Sequence, residues 1–308
     1  MQHPADAALV PCLPRTTGLE AYAPSTRRFQ GIPGIERTPA GRLFATWYSG
    51  GPTECPENHV ILAQSDDAGA TWRDPILAID PPGEVRAFDP VLWIDPKGRL
   101  WLFWSQTFGH IDGRNGLWFI RCDAPDAATL HWTAPHRIAN GIMMNKPTVC
   151  TNGDWLLPTA IWQRGAAFPG CESEQFSNVM ASTDAGATWT LRGHADVPMR
   201  DCDEHMIVER RDGSLWMLVR TLYGIGESIS RDGGRRWSPG MPTHIPSPIS
   251  RFFIRRTASG QLLLITHAYS QPNPNHTNGH PLRSHLTTYL SDDDGRTWGT
   301  GLCIDERM

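Results

Sequence analysis

Bulky apolar runs recur along this chain, and each is entered through a turn. The segments are Pro39-Ala-Gly-Arg-Leu-Phe, Pro96-Lys-Gly-Arg-Leu-Trp, Thr151-Asn-Gly-Asp-Trp-Leu, Arg211-Asp-Gly-Ser-Leu-Trp and Ala258-Ser-Gly-Gln-Leu-Leu. Their glycines, 41, 98, 153, 213 and 260, fall every 47 to 60 residues. Short apolar runs bounded by turn formers read as strands, and no long stretch has the 3.6-residue period of an amphipathic helix. A second phrase runs out of phase with the first: Ser65-Asp-Asp-Ala-Gly-Ala-Thr-Trp72, Ser182-Thr-Asp-Ala-Gly-Ala-Thr-Trp189, Ser230-Arg-Asp-Gly-Gly-Arg-Arg-Trp237 and Ser291-Asp-Asp-Asp-Gly-Arg-Thr-Trp298. In each copy an Asp can accept bonds from turn amides, a Gly can take positive φ and a Trp can plug the hairpin against its own sheet.

One interval between copies is double, 117 residues from Ser65 to Ser182, and it holds a worn copy at Arg121–Trp132. Five units are therefore visible. Each has two turn signals and room for about four short strands, the content of a propeller blade. Trp72, Trp132, Trp189, Trp237 and Trp298 are expected at equivalent positions in five successive blades, on the face opposite the pocket.

Composition agrees with an all-β chain: Gly and Pro together supply 55 of 308 residues (29 and 26) and there are 13 Trp. A net charge of −4 with no basic cluster argues against nucleic acid as partner. No stretch approaches the roughly 20 apolar residues of a membrane span, and the first thirty residues lack the pattern of a secretory signal. The expectation is a cytoplasmic protein whose seven cysteines, 12, 55, 122, 150, 171, 202 and 303, are reduced thiols. The twelve histidines show no HExxH spacing, and His276, His280 and His285 sit in a Pro/Asn-rich loop, so neither a metal nor a cofactor is expected.

The segment before each turn glycine should be the innermost strand of its blade, the one whose entry surrounds a propeller's mouth. Those segments are Gly31-Ile-Pro33, Phe88-Asp-Pro90, Asn145-Lys-Pro147, Cys202-Asp-Glu204 and Ile249-Ser-Arg251. Four carry charge, which predicts a polar mouth of mixed sign with Asp89, Lys146 and Arg251 among the groups that touch substrate.

These residues resemble the sialidase (neuraminidase) superfamily, whose Asp-box is the second repeat. The resemblance covers nearly the whole chain and implies one domain over 1–308, a six-bladed β-propeller of four-stranded antiparallel blades with the last blade incomplete here and residues 1–25 closing or flanking it. Asp203-Glu-His-Met-Ile-Val-Glu-Arg-Arg-Asp-Gly-Ser-Leu-Trp-Met-Leu-Val-Arg220 is similar to the family hairpin in which a Glu takes the proton of a Tyr nucleophile and an Arg grips the substrate carboxylate. Glu204 and Arg220 hold those positions. A neutral Tyr attacks an anionic sugar without carboxylate repulsion, and a guanidinium grips a carboxylate bidentately. Leu282-Arg-Ser-His-Leu-Thr-Thr-Tyr-Leu290 is similar to the strand with another clamp arginine, here Arg283.

Three segments depart from the family. Its Arg-Ile-Pro motif reads Gly31-Ile32-Pro33, so the first clamp arginine is replaced by glycine; Arg27 and Arg28 lie close by in sequence. Its acid/base Asp belongs to the loop that reads Gly50-Gly-Pro-Thr-Glu-Cys-Pro-Glu-Asn-His59, where Glu57 is preferred for that task, with His59 as rival and Glu54 as a further carboxylate. By the family's spacing the Tyr nucleophile falls just beyond Met308. The expected function is a sialidase-like exo-glycosidase acting on a glycan with a terminal carboxylated sugar. Two alternatives stay open: a uronate- or rhamnose-directed glycosidase or lyase of the superfamily using His59 or His205 as base, and a non-catalytic carbohydrate-binding propeller. Glu204→Gln is expected to depress turnover and leave the melting temperature nearly unchanged.

Overall fold

The computed structural model describes residues 10–110, 115–163, 169–269 and 283–307. They form five four-stranded antiparallel sheets and two compact units. His276 and His280 lie outside the described residues.

The first unit comprises the described residues of Met1–Lys146 and Gly165–Gln175. Its first sheet runs β1 (Phe29–Arg37), β2 (Leu43–Gly50), β3 (His59–Ser65) and β4 (Arg73–Ile79) in spatial order. Its second runs β5 (Val85–Ile94), β6 (Leu100–Phe108), β7 (Gly116–Cys122) and β8 (His136–Asn140). The second unit, Pro147–Arg164 and Phe176–Met308, holds the other three sheets. They are β9 (Thr148–Val149), β10 (Trp155–Ala160), β11 (Ser177–Ser182) and β12 (Thr190–Ala195); then β13 (Met206–Glu209), β14 (Leu215–Thr221), β15 (Gly224–Ser230) and β16 (Met241–Pro242); then β17 (Phe253–Arg256), β18 (Leu262–Tyr269), β19 (Ser284–Ser291) and β20 (Leu302–Asp305).

Sheet order follows chain order, as in a propeller blade. The first repeat joins first and second strands: the amides of Gly41, Gly98, Gly153, Gly213 and Gly260 each bond the carbonyl three residues back at 2.8–3.0 Å. The second repeat joins third and fourth strands, and all five tryptophans named above lie on that connection. In the fourth sheet Trp237 follows the end of β15, while Glu204 and Arg220 flank the start of β13 and the end of β14, at the opposite edge.

The apolar runs are continuous because the middle strands are buried on both faces. On β14, Leu215, Met217 and Val219 pack with Leu156, Val179 and Ile207, whereas Trp216 and Leu218 pack with Phe252, Ile254 and Leu264.

Five sheets, not six, are built from the described residues. The five repeat units account for all of them, and among the described residues 10–28 no strand is added to the last sheet. Arg15 instead bridges Ala78 of β4 through backbone bonds of 2.8 and 2.9 Å, and two 3-10 turns, Leu19–Tyr22 and Pro24–Thr26, follow. The Tyr22 hydroxyl donates to Asp80 Oδ2 at 2.7 Å.

The second repeat is one hydrogen-bonded device used four times. Ser65 Oγ donates to Asp67 Oδ1 (2.8 Å) and accepts from the Gly69 amide (2.8 Å), while the amide and hydroxyl of Thr71 donate to the same carboxylate at 2.8 and 2.5 Å. Ser182, Asp184, Gly186 and Thr188 repeat it, as do Ser291, Asp293, Gly295 and Thr297. The copy at Ser230 keeps the Asp232 bonds to Ser230 and to the Arg236 amide.

Those donors hold the carboxyls of Asp67, Asp184 and Asp293 down to about 2, from an ordinary 3.8, led by the threonine hydroxyls. A carboxyl with a depressed folded-state value stabilises above its unfolded value and loses that contribution as the pH falls through the folded one. The melting temperature is therefore expected to drop between about pH 4 and pH 2. The triple variant Asp67→Asn, Asp184→Asn, Asp293→Asn should start lower and show a flatter acid limb; calorimetry across that window decides, and an unchanged slope would mean that other carboxylates set it.

Candidate functional site

Glu204 and Arg220 meet across the β13–β14 hairpin. The Arg220 amide bonds the Asp203 carbonyl at 2.9 Å, which locks the start of one strand to the end of the other and brings the two side chains to one edge. Arg220 Nη1 then donates to Glu204 Oε1 at 2.7 Å, with both side chains nearly buried. Burial opposes the Arg220 charge, but Glu204 outweighs it and the net shift is upward. Glu204 is held at φ 39°, a conformation that costs a non-glycine residue energy and that clusters at functional sites.

Arg283 precedes β19 in the same unit and its Nε donates to the Ile249 carbonyl at 3.2 Å. Partial burial and then repulsion from Arg220 lower its pKa, with Glu204 acting in the opposite sense. Two guanidiniums near enough to repel each other are suited to an incoming anion. Arg251 is half-buried two residues before β17. A cavity of about 380 Å³ in this unit is lined elsewhere, by Tyr223, Ile245, Ser247 and His267 among others.

Beneath this edge lies a buried support. Arg200 Nη1 contacts Asp203 Oδ2 at 3.3 Å, Ser177 Oγ donates to the same oxygen at 2.6 Å, and the Arg200 guanidinium stands over the Phe176 ring. Full burial raises the Asp203 carboxyl to about 6 against the pull of Arg200. His205 is buried beside it, with Nε2 2.9 Å from the Asn178 carbonyl. Burial lowers its pKa to about 4, so the imidazole is uncharged at neutral pH.

The first unit holds a different cluster. Asp89, on β5, is 4% exposed and takes φ 47°, matching Ile32 (φ 49°) on β1 and Glu204. In β1 and β5 the strand register slips there, between Gly31 and Gly34 and between Phe88 and Val91. Tyr48 of β2 is buried, and its hydroxyl donates to Glu54 Oε1 at 2.6 Å. Burial, then the bond to Glu54, then Asp89 push the phenol above its ordinary 10, against Arg86. A Cβ on Gly31 would lie 2.8 Å from Cζ and Oη of Tyr48, so the phenol fills the space from which a side chain at position 31 would start.

The remaining candidates separate by environment. Glu57 is exposed on the loop before β3. His59 is buried at the head of β3 against the Tyr22 ring, 4.8 Å between centroids; burial depresses its pKa below 6.5 despite Asp80. Lys146 donates to Glu36 Oε2 (2.5 Å) and to the Ile35 carbonyl (2.9 Å). Arg27 is bound bidentately by Asp74 at 2.6 and 2.7 Å and stands over Trp47, so it does not replace the clamp; Arg28 is exposed. Sequence reasoning missed Tyr48 and Arg86, the latter visible only as a charge inside the apolar segment Val85-Arg-Ala-Phe.

A model of the BNR repeat-like domain matches residues 41–308. A sialidase of Micromonospora viridifaciens is 26% identical over 310 residues, covering 87% of this chain and 45% of its own length. A Hadza microbial sialidase superposes with TM-score 0.69 at 20% identity, over 92% of this chain and 60% of its own. The intramolecular trans-sialidase of Ruminococcus gnavus gives 0.64 at 16% identity, over 92% and 86%, and a protein of unknown function from Dyadobacter fermentans 0.65 at 17%, over 90% and 83%. These likenesses support a propeller fold, and the chain spans about half to three-fifths of the length of the first two sialidases. Among the described residues no helix is long and apolar enough to cross a membrane.

Proposed function

The chain belongs to the BNR repeat-like domain family, and from that premise we propose that it is a sialidase-like glycosidase acting on a glycan with a terminal carboxylated sugar. The observation that carries the reading is the Glu204–Arg220 pair at 2.7 Å with Arg283 close enough to repel Arg220. In this reading Arg220 and Arg283 hold the sugar carboxylate, and its arrival competes with Glu204 for Arg220. Glu204 then accepts the proton of the nucleophile as general base. Glu57 supplies the acid/base group, because it is an exposed carboxylate on a loop whereas His59 is enclosed by Tyr22.

A second reading, a uronate in place of sialic acid, is favoured by one observation: Gly31 leaves no guanidinium at the position of the first clamp arginine, and Tyr48 fills the space. Both readings meet one test, release of sugar from aryl glycosides and oligosaccharides carrying sialic acid, glucuronic acid, or rhamnose linked to glucuronate, by the natural full-length protein. Removing a positioned general base costs about 10²–10⁴ in rate, so Glu204→Gln should lower turnover on the preferred substrate by that factor. Equal turnover in the variant would remove Glu204 from the mechanism. Binding without hydrolysis by the wild type would favour a carbohydrate-binding role.

A further inference from the structure

The cavity of about 380 Å³ in the second unit lies within the roughly 300–1,000 Å³ usual for small-molecule sites, and the proposed chemistry leaves it unused. Its walls are tied together. A Cβ on Gly224 would lie 2.6 Å from the Ser247 carbonyl oxygen, so the segment holding Ser247 packs straight onto the turn between β14 and β15. The amide and hydroxyl of Thr243 both donate to the Ile225 carbonyl, at 3.0 and 2.9 Å, and Ser247 Oγ stands 2.9 Å from Thr266 Oγ1 on β18. The shape therefore exists before a ligand arrives, which spares binding the cost of ordering it.

The lining is polar but uncharged. Among the described residues it holds Tyr223, Thr243, His244, Ser247 and His267 with isoleucine, proline and alanine, and no Asp, Glu, Lys or Arg. His267 Nδ1 faces the Ser284 carbonyl at 3.3 Å; a carbonyl only accepts, so Nδ1 donates and Nε2 is left as an acceptor. Burial holds the His267 pKa below 6.5, which keeps that ring neutral at pH 7. His244 is exposed. The Tyr223 hydroxyl is buried against Gly226, where a Cβ would lie 2.5 Å from it, so the cavity meets the ring rather than the hydroxyl. Imidazoles and hydroxyls beside an aromatic ring suit a ligand that carries hydroxyls on an apolar carbon ring, and they offer an anion no counter-charge.

The cavity adjoins the Arg220–Arg283 edge through the chain. Tyr223 follows Arg220 by three residues, Pro248 leads into the Ile249 carbonyl that accepts from Arg283 Nε at 3.2 Å, and the Ser284 carbonyl that His267 bonds is next to Arg283. Arg283 also stands near enough to His267 to oppose its protonation. We propose that this cavity binds a neutral hexose, a second unit of the glycan whose acidic end meets Arg220 and Arg283. The link to an acidic end rests on the acidic-sugar reading; the hexose site stands on the cavity alone.

The test is calorimetric titration of lactose, free N-acetylneuraminic acid and thio-linked 3′-sialyllactose, which resists hydrolysis, into the natural full-length protein and its Ala268→Trp, His244→Ala and Arg220→Gln variants, each checked for a cooperative melt. Ala268 is an exposed residue of the cavity wall, so the tryptophan fills the space and should abolish lactose binding. His244→Ala should weaken lactose by about two- to tenfold, the worth of one neutral hydrogen bond. Both should leave the free acid unaffected, and Arg220→Gln should do the reverse. The thio-linked trisaccharide should bind about tenfold or more tightly than either part, an advantage that Ala268→Trp removes. If the tryptophan variant does not fold, His244→Ala decides, because that side chain is exposed. Lactose that does not bind, or that binds undiminished to the folded cavity variants, overturns the hexose site whatever the acid does. Lactose binding that depends on the cavity, with no binding of the acid, overturns the acidic-sugar reading and leaves the hexose site standing. A trisaccharide no tighter than its parts, when both parts bind, overturns the link between them.

Discussion

Arg220→Met is expected to lower the unfolding free energy by about 3–5 kcal/mol at neutral pH, because it leaves a buried carboxylate without its counter-charge. Glu204 and Arg220 have side chains only 6% and 12% exposed, so water cannot replace the lost partner cheaply. Glu204→Gln is the milder change. An amide oxygen still accepts from Arg220 Nη1, so the loss is the charged part of the bond, about 1.5–3 kcal/mol at most. This revises the expectation, drawn from the hairpin alone, that the glutamine variant would melt like the wild type. Combining Glu204→Gln with Arg220→Met should recover part of the Arg220→Met loss, since no net charge is then stranded. Urea unfolding of the four proteins gives the coupling energy. Strict additivity would mean that the two groups are solvated separately, and the proposed hand-over of Arg220 from Glu204 to a substrate carboxylate would lose its basis.

The features legible in the sequence were those whose chemistry is local. A turn needs a glycine, and the Asp-box needs Ser, Asp, Gly and, in three of four copies, Thr within seven residues, so both repeats placed their hairpins correctly. The Glu204–Arg220 pair was also legible, because sixteen residues of a tight hairpin bring its ends to one edge whatever surrounds them. Contacts between sheets were not. Arg86 reaches Tyr48 from β5 to β2, and no spacing along the chain announces that. Lys146 pairs with Glu36, 110 residues away, which no local spacing announces. His59 looked like a loop base until Tyr22, from the segment ahead of the first strand, covered it. The described part of that segment is tied to the first sheet by the Arg15–Ala78 backbone bonds and the Tyr22–Asp80 bond, contacts that no local spacing announces.

Trp216→Ala is expected to be the most damaging single truncation in the second unit, at about 3–5 kcal/mol. The ring is 1% exposed and packs among Phe252, Ile254 and Leu264; Arg210 stands 4.3 Å over its face and its Nε1 donates to Glu227 Oε2 at 2.5 Å. The same ring explains why the last Asp-box has glycine at 295. That residue sits at φ 82°, and a Cβ there would lie 2.5 and 2.7 Å from Cζ3 and Cη2 of Trp216. Gly295→Ala therefore carries two penalties, a left-handed backbone worth about 1–2 kcal/mol for an L side chain and an overlap with the indole. Only the second depends on Trp216. In a Trp216→Ala background the alanine at 295 should cost the backbone term alone, so the double variant should be more stable than the sum of the two single losses predicts. Denaturant midpoints at constant m measure this directly. Additive losses would place the Gly295 constraint wholly in the backbone, and a loss for Trp216→Ala well under 2 kcal/mol would show that the fourth and fifth sheets close around the missing ring.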